Sequence, residues 1–127
     1  MNSGTAIKGL SGLFGAMMLS IGIRWLVDPA GAAAGLDLPL LEGAARSTQI
    51  GDLAAFFLMA GGCALYGILG GRPGPLLAAA TLVGLTAICR TLAWLLQDAA
   101  FATQHIGAEV VMTTLFLLAH RDLDAGR

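Results

Sequence analysis

The run from Ala45 to Leu69, ARSTQIGDLAAFFLMAGGCALYGIL, decides what kind of protein this is. A helix crossing a bilayer needs about 20 predominantly apolar residues. The run is long enough, and its two charges, Arg46 and Asp52, both fall near its start. It stops at Gly70-Gly71-Arg72-Pro73-Gly74-Pro75, a Gly/Pro cluster that reads as a tight turn. After such a turn the next apolar run, from about Leu76 to Leu96, has to return antiparallel beside the first.

Two further runs flank this hairpin. One extends from about Ile7 to Val27 and is stopped by Asp28-Pro29, because proline disfavours helix at the residue before it. The other covers about Thr103 to Ala119 and precedes a polar tail, His120 to Arg127. Four such spans with short connections nearly exhaust the 127 residues. The chain is 57% hydrophobic and 12% charged, against about a quarter charged in ordinary soluble domains. The expected fold is therefore all-α, a polytopic integral membrane protein whose single domain, 1–127, is an antiparallel four-transmembrane-helix bundle. A net charge of −1 offers no basic field for nucleic acid. The amino end imitates a secretory signal, with Lys8 before an apolar run and Ala30-Gly31-Ala32 after it. Arg24 and Asp28 interrupt that pattern, so the segment is expected to be a retained span.

Lys8, Arg72, Arg121 and Arg127 fall at the amino end, the second connection and the carboxyl tail, which an even number of spans puts on one side. By the positive-inside tendency that side is cytoplasmic, in a bacterial inner membrane. The first connection, Asp28 to Gly43, carries only acidic charges and faces outward. Leu36, Leu38, Leu40 and Leu41 make it too apolar for a solvated loop, so it is expected to lie at the membrane interface, with a lid as the alternative.

Small residues recur four apart in Gly12, Ala16 and Ser20, in Gly51 and Ala55, and in Ala80 and Gly84. Residues four apart share a helix face, so these stripes are expected to let neighbouring helices approach closely. Cys63 and Cys89 fall at depths differing by about 10 Å on antiparallel neighbours, too far for a disulfide, and read as small packing residues. Met17, Met18, Met59 and Met112 read as core filler.

The candidate site is the set of polar side chains inside these spans. Arg46, Gln49 and Asp52 stand three apart on the second span. Arg90, Trp94 and Gln97 share a face of the third, His105, Glu109 and Thr113 a face of the fourth, and Arg24 lies near the end of the first. The threading puts all of them in the outer half of the membrane. A charge at the centre of a membrane helix costs about 2.5–3.5 kcal/mol even on lenient scales, so such residues normally turn inward and pair. Arg90 is expected to be compensated by Glu109 and Asp52, since guanidinium grips a carboxylate through parallel hydrogen bonds. With all five ionised and inward, Arg24, Arg46 and Arg90 outnumber Asp52 and Glu109, a surplus that suits an anionic or polar head group. The candidate ligand-binding residues are thus Arg24, Arg46, Gln49, Asp52, Arg90, Trp94, His105 and Glu109. The scaffold alternative is an ion-pair network that only fixes helix register.

Histidine is the side chain suited to proton transfer near neutral pH, so His105, four residues before Glu109, is a candidate relay. No Ser/His/Asp pattern, phosphate-cradling loop, axial-ligand pair for haem or metal-ligand spacing occurs, so no catalytic residue, cofactor or metal is expected. In Trp25-Leu26-Val27-Asp28-Pro29, in Ala45 to Asp52, and in the pairing of Arg90 with a late Glu109, the chain resembles the DoxX-like superfamily, in particular its uncharacterised bacterial branch. The resemblance implies a small four-helix membrane bundle. Some DoxX-like relatives are linked to quinone or redox partners, and the chain lacks the paired cysteines of any thiol-based version.

Three function classes follow. The first is a binding protein that holds a small amphipathic or anionic lipid-like molecule, with membrane lipids around it. The second is an accessory subunit docking another membrane protein or a second copy of itself. The third is a proton-coupled carrier or redox-linked membrane enzyme using His105 and Glu109.

Overall fold

The computed structural model describes residues 2–127. It is all-helical: α1 spans Ser3–Val27, α2 Pro29–Gly35, α3 Gly43–Gly70, α4 Pro73–Leu96 and α5 Thr103–Ala125. Three of these, α1, α3 and α4, are long and apolar enough to cross a membrane. The chain thus has the character of a membrane protein, while α5 is long enough but less apolar, carrying Gln104, His105 and Glu109 in its first turns and His120 to Asp124 in its last.

The four long helices alternate in direction around a ring. Gly15, Leu19 and Gly22 of α1 lie against Ala64, Gly61 and Leu58 of α3, a pairing that runs antiparallel. Arg90 meets Glu109 and Pro73 meets His120, which sets α4 antiparallel to α5. Ser11 closes the ring, its Oγ donating to the Leu115 carbonyl oxygen at 3.2 Å, and Lys8 Nζ lies 2.7 Å from Asp122 Oδ2. These two anchors, with His120 Nδ1 donating to the Pro73 carbonyl oxygen at 2.8 Å, explain why α5 runs on to Ala125 where a polar tail was expected from His120.

Helix ends follow local chemistry. Asn2 caps α1 by accepting from Thr5 N at 2.8 Å. The turn after α3 has Gly71 at φ +60°, a left-handed conformation that costs glycine little. Helix α4 starts at Pro73, earlier than the Leu76 expected, because the first turn of a helix needs no backbone donors and so accepts Pro73 and Pro75.

The expected packing stripes need correction. On α1 the buried face carries Ser11, Gly15, Met18, Gly22 and Trp25, whereas Ala16 and Ser20 face outward and Gly12 is only half-buried. On α3 it carries Ala54, Phe57, Ala60, Gly61, Ala64 and Gly67, with Gly51 and Ala55 exposed. Only the Ala80–Gly84 stripe of α4 faces inward as expected, Ala80 buried and Gly84 against Thr113. Close approach needs small residues wherever the neighbour's backbone comes nearest, and there α1 and α3 offer glycine. Cys63 packs against the core as expected and Cys89 faces outward; both are free.

The first connection also differs from a continuous irregular segment. Asp28 ends α1 and starts α2: its Oδ1 accepts from Gly31 N at 3.1 Å, and Pro29 supplies a first residue preset for helix. Ala32 and Ala33 of α2 are buried, and Leu36 and Leu40 beyond it pack against the core.

Candidate functional site

The polar residues singled out in the sequence all belong to one end of the bundle, but they do not form one cluster. Arg90 stands six residues before the end of α4 and Glu109 six residues after the start of α5. At 1.5 Å per residue both lie about 9 Å inside their helix ends. They meet there, Arg90 Nε donating to Glu109 Oε1 at 2.8 Å. The pair is unequally covered, with the Arg90 side chain 36% exposed and that of Glu109 8%.

Asp52 does not join them, a correction to the expected pairing. It lies on the exposed face of α3 and has no ion-pair partner among the described residues. Arg24 turns outward to Asp28, Nε to Oδ2 at 3.2 Å. The backbone N–H of Gly31 and then the Arg24 guanidinium hold the Asp28 carboxyl below its ordinary range. Gly31 is needed for this clasp, since a Cβ there would run into Asp28 Oδ2 and the Arg24 guanidinium.

Arg46 and Gln49 serve the first connection. Arg46 Nε donates to the Leu41 carbonyl oxygen at 2.6 Å. Gln49 accepts from Leu41 N and donates to the Pro39 carbonyl oxygen, each at 3.0 Å. An irregular segment has backbone groups without helical partners, and these two side chains supply them. Trp94 is exposed and meets Phe101 edge to face, with centroids 5.0 Å apart, bracing the α4–α5 connection. The surplus of arginine expected at the site is therefore absent from its interior: of the three, only Arg90 reaches it.

What Arg90 and Glu109 do share is a partly open cavity of about 190 Å³ lined by residues of all five helices. Its walls are Met17, Met18 and Ile21 of α1, Phe56 and Phe57 of α3, Met112 of α5, and Gly35 with Leu36 from the end of α2. Arg90, His105 and Glu109 supply the polar lining. A second hollow of about 390 Å³ opens at the bundle end between Asp37 and the segment Phe101 to Gln104. Leu36, Arg90 and His105 line both spaces, so they form the partition between an outer vestibule and the inner cavity.

Three buried polar atoms have no hydrogen-bond partner among the described residues: Trp25 Nε1, Thr113 Oγ1 and Glu109 Oε2. Of their residues only Glu109 lines the cavity. His105 lies beside it with no hydrogen bond between them among the described residues, so the structure forms no preset relay. No group of His, Cys, Asp and Glu among the described residues has the geometry to hold a metal ion.

Sequence reasoning found Arg90, His105 and Glu109 and missed the walls. In the sequence Met17, Met18 and Met112 read as filler, although Met18 and Met112 fall on the same inward faces as Gly15 and Glu109. Leu36 was legible only as part of an apolar connection. Compared with protein-family models, curated proteins and solved structures, the chain matches none of them, so the resemblance to the DoxX-like superfamily gains no support there.

Proposed function

We propose that this chain is a four-span membrane protein that holds a small amphipathic molecule in the outer half of its bundle, between apolar walls and the Arg90–Glu109 pair. The observation that carries this is the coincidence of a largely apolar cavity with a half-buried ion pair. As a scaffold alone the pair would need no hollow beside it.

In this reading α5 is the fourth span. Its charged Glu109 turns inward onto Arg90, and its outer surface carries Val110, Val111, Leu117 and Leu118. Lys8, Arg72, Arg121 and Arg127 gather at the opposite end of the bundle from the cavity, which favours a cytoplasmic location for both termini in a bacterial inner membrane. A DoxX-like ancestry agrees with the same architecture.

Ile21→Phe extends a wall side chain into the hollow without touching the ion pair. Native mass spectrometry of protein in nanodiscs is expected to detect a bound small molecule on the wild type, with occupancy at least tenfold lower in this variant at unchanged thermal stability. Equal occupancy in the two proteins, or none in the wild type, would defeat the proposal.

A second reading rests on Asp52. A carboxylate exposed at membrane depth beside the small residues Gly51 and Ala55 favours docking of a partner helix that presents a cation. Asp52→Asn is expected to weaken co-purification of such a partner about tenfold and leave the cavity unaffected. A wild-type protein that cross-links to nothing in native membranes rules it out.

A further inference from the structure

We infer that the occupant of the cavity is a neutral molecule about the size of a single substituted ring, whose O–H donates to Glu109 Oε2. The inference rests on the proposal that the cavity holds a ligand, and it specifies the ligand's chemistry.

The argument starts from the two oxygens of one carboxylate. Oε1 accepts the Arg90 Nε–H at 2.8 Å. Oε2 is buried without a partner, on a residue that lines the cavity. An ionised carboxylate only accepts hydrogen bonds, so whatever satisfies Oε2 must donate. Leaving such a buried atom unpaired costs free energy that a ligand's donor recovers.

Charge then narrows the donor. Arg90 and Glu109 sum to zero, so a cationic or anionic head would bring an uncompensated charge among Met18, Ile21, Phe56, Phe57 and Met112. A hydroxyl supplies the proton donor without the charge. Of the anionic or polar head group expected from the sequence this favours the polar one, since the anionic reading depended on Arg24 and Arg46 facing inward. They face away, one to Asp28 and the other to the Leu41 carbonyl.

Size narrows the body. A dry cavity of about 150 Å³ accepts benzene, and this one measures about 190 Å³. One ring with a short alkyl tail fills it, and the thioethers of Met17, Met18 and Met112 adapt to irregular outlines.

The test uses the whole protein in nanodiscs and four matched probes: 4-propylphenol, 4-propylanisole, propylbenzene and 4-propylbenzoate. Affinities are measured by ligand-observed NMR and corrected for partition into nanodiscs without protein. The wild type is expected to bind the phenol about tenfold more tightly than the anisole or propylbenzene, and the benzoate most weakly. Glu109→Gln replaces the carboxylate with an amide, and the phenol-to-anisole ratio is expected to fall towards one. The variant Arg90→Met/Glu109→Leu removes both charges, so phenol and propylbenzene should bind it alike.

The outcomes separate the two readings. If none of the probes binds and none stabilises the protein, the ligand-site proposal itself fails. Equal binding of phenol, anisole and propylbenzene to the wild type keeps the ligand site and overturns the hydroxyl donor. Tightest binding of the benzoate overturns neutrality. A phenol preference that persists in Arg90→Met/Glu109→Leu shows that Glu109 is not the acceptor.

Discussion

Arg90→Ala, with Glu109 left in place, is expected to lower the stability of the bundle by about 3 kcal/mol, the lower end of the range for breaking a buried ion pair. The lower end applies because the Arg90 side chain is 36% exposed and keeps part of its solvation. The loss arises from Glu109, whose carboxyl group would be left in a site only 8% accessible with no cation beside it. Arg90→Met/Glu109→Leu should therefore be more stable than Arg90→Ala alone, since a packed apolar pair replaces an ion pair at little cost. Glu109→Gln retains an acceptor for Arg90 and should cost only about 1 kcal/mol. Reversible unfolding in mixed micelles measures all three. If Arg90→Ala cost less than the double replacement, the pair would not be the desolvated contact that its burial implies.

The second large effect is steric. In Gly61→Ala the new Cβ would collide with Leu19 N, approach Gly15 O at 2.6 Å and reach Leu19 Cα at 2.9 Å. These are all backbone atoms, so no side chain can rotate away and α1 must separate from α3. The expected loss is about 3 kcal/mol, at the upper end for overpacking. Gly62→Ala is the control, because a Cβ there meets nothing within 4 Å. It should be neutral or stabilising by up to about 1 kcal/mol through helix propensity. Equal melting behaviour of the two variants would mean that α1 and α3 do not approach as closely as described.

The contrast between Gly61 and Gly51 shows where sequence reading reaches its limit. Both are glycines on α3, and a four-residue spacing of small residues pointed to Gly51 and Ala55. Only Gly61 lies against a neighbouring backbone, while Gly51 is exposed. Periodicity shows that a helix has a small-residue face, but a helix in an apolar medium has several, and the partner selects among them. Arg46 and Gln49 make the same point for polar groups. Their spacing suggested a ligand, yet they hold Pro39 and Leu41 in place. The hydrogen-bonding needs of an irregular backbone are not written in its side chains.

Composition and punctuation alone determined the helical class, the long apolar runs, the turn at Gly71 and the break at Asp28-Pro29, because these depend on local backbone chemistry and solvent preference. The need of Arg90 for a carboxylate was also legible, with Glu109 and Asp52 both offered, since a lone charge in hydrocarbon demands a partner and the threading put all three in the outer half of the membrane. The tertiary structure alone decided which helix faces meet, that Asp52, Arg24 and Arg46 turn away from the pair, and that α2 and Leu36 close a hollow beside it. Those outcomes depend on the rotation of each helix about its axis, which is fixed by contacts between residues far apart in the chain.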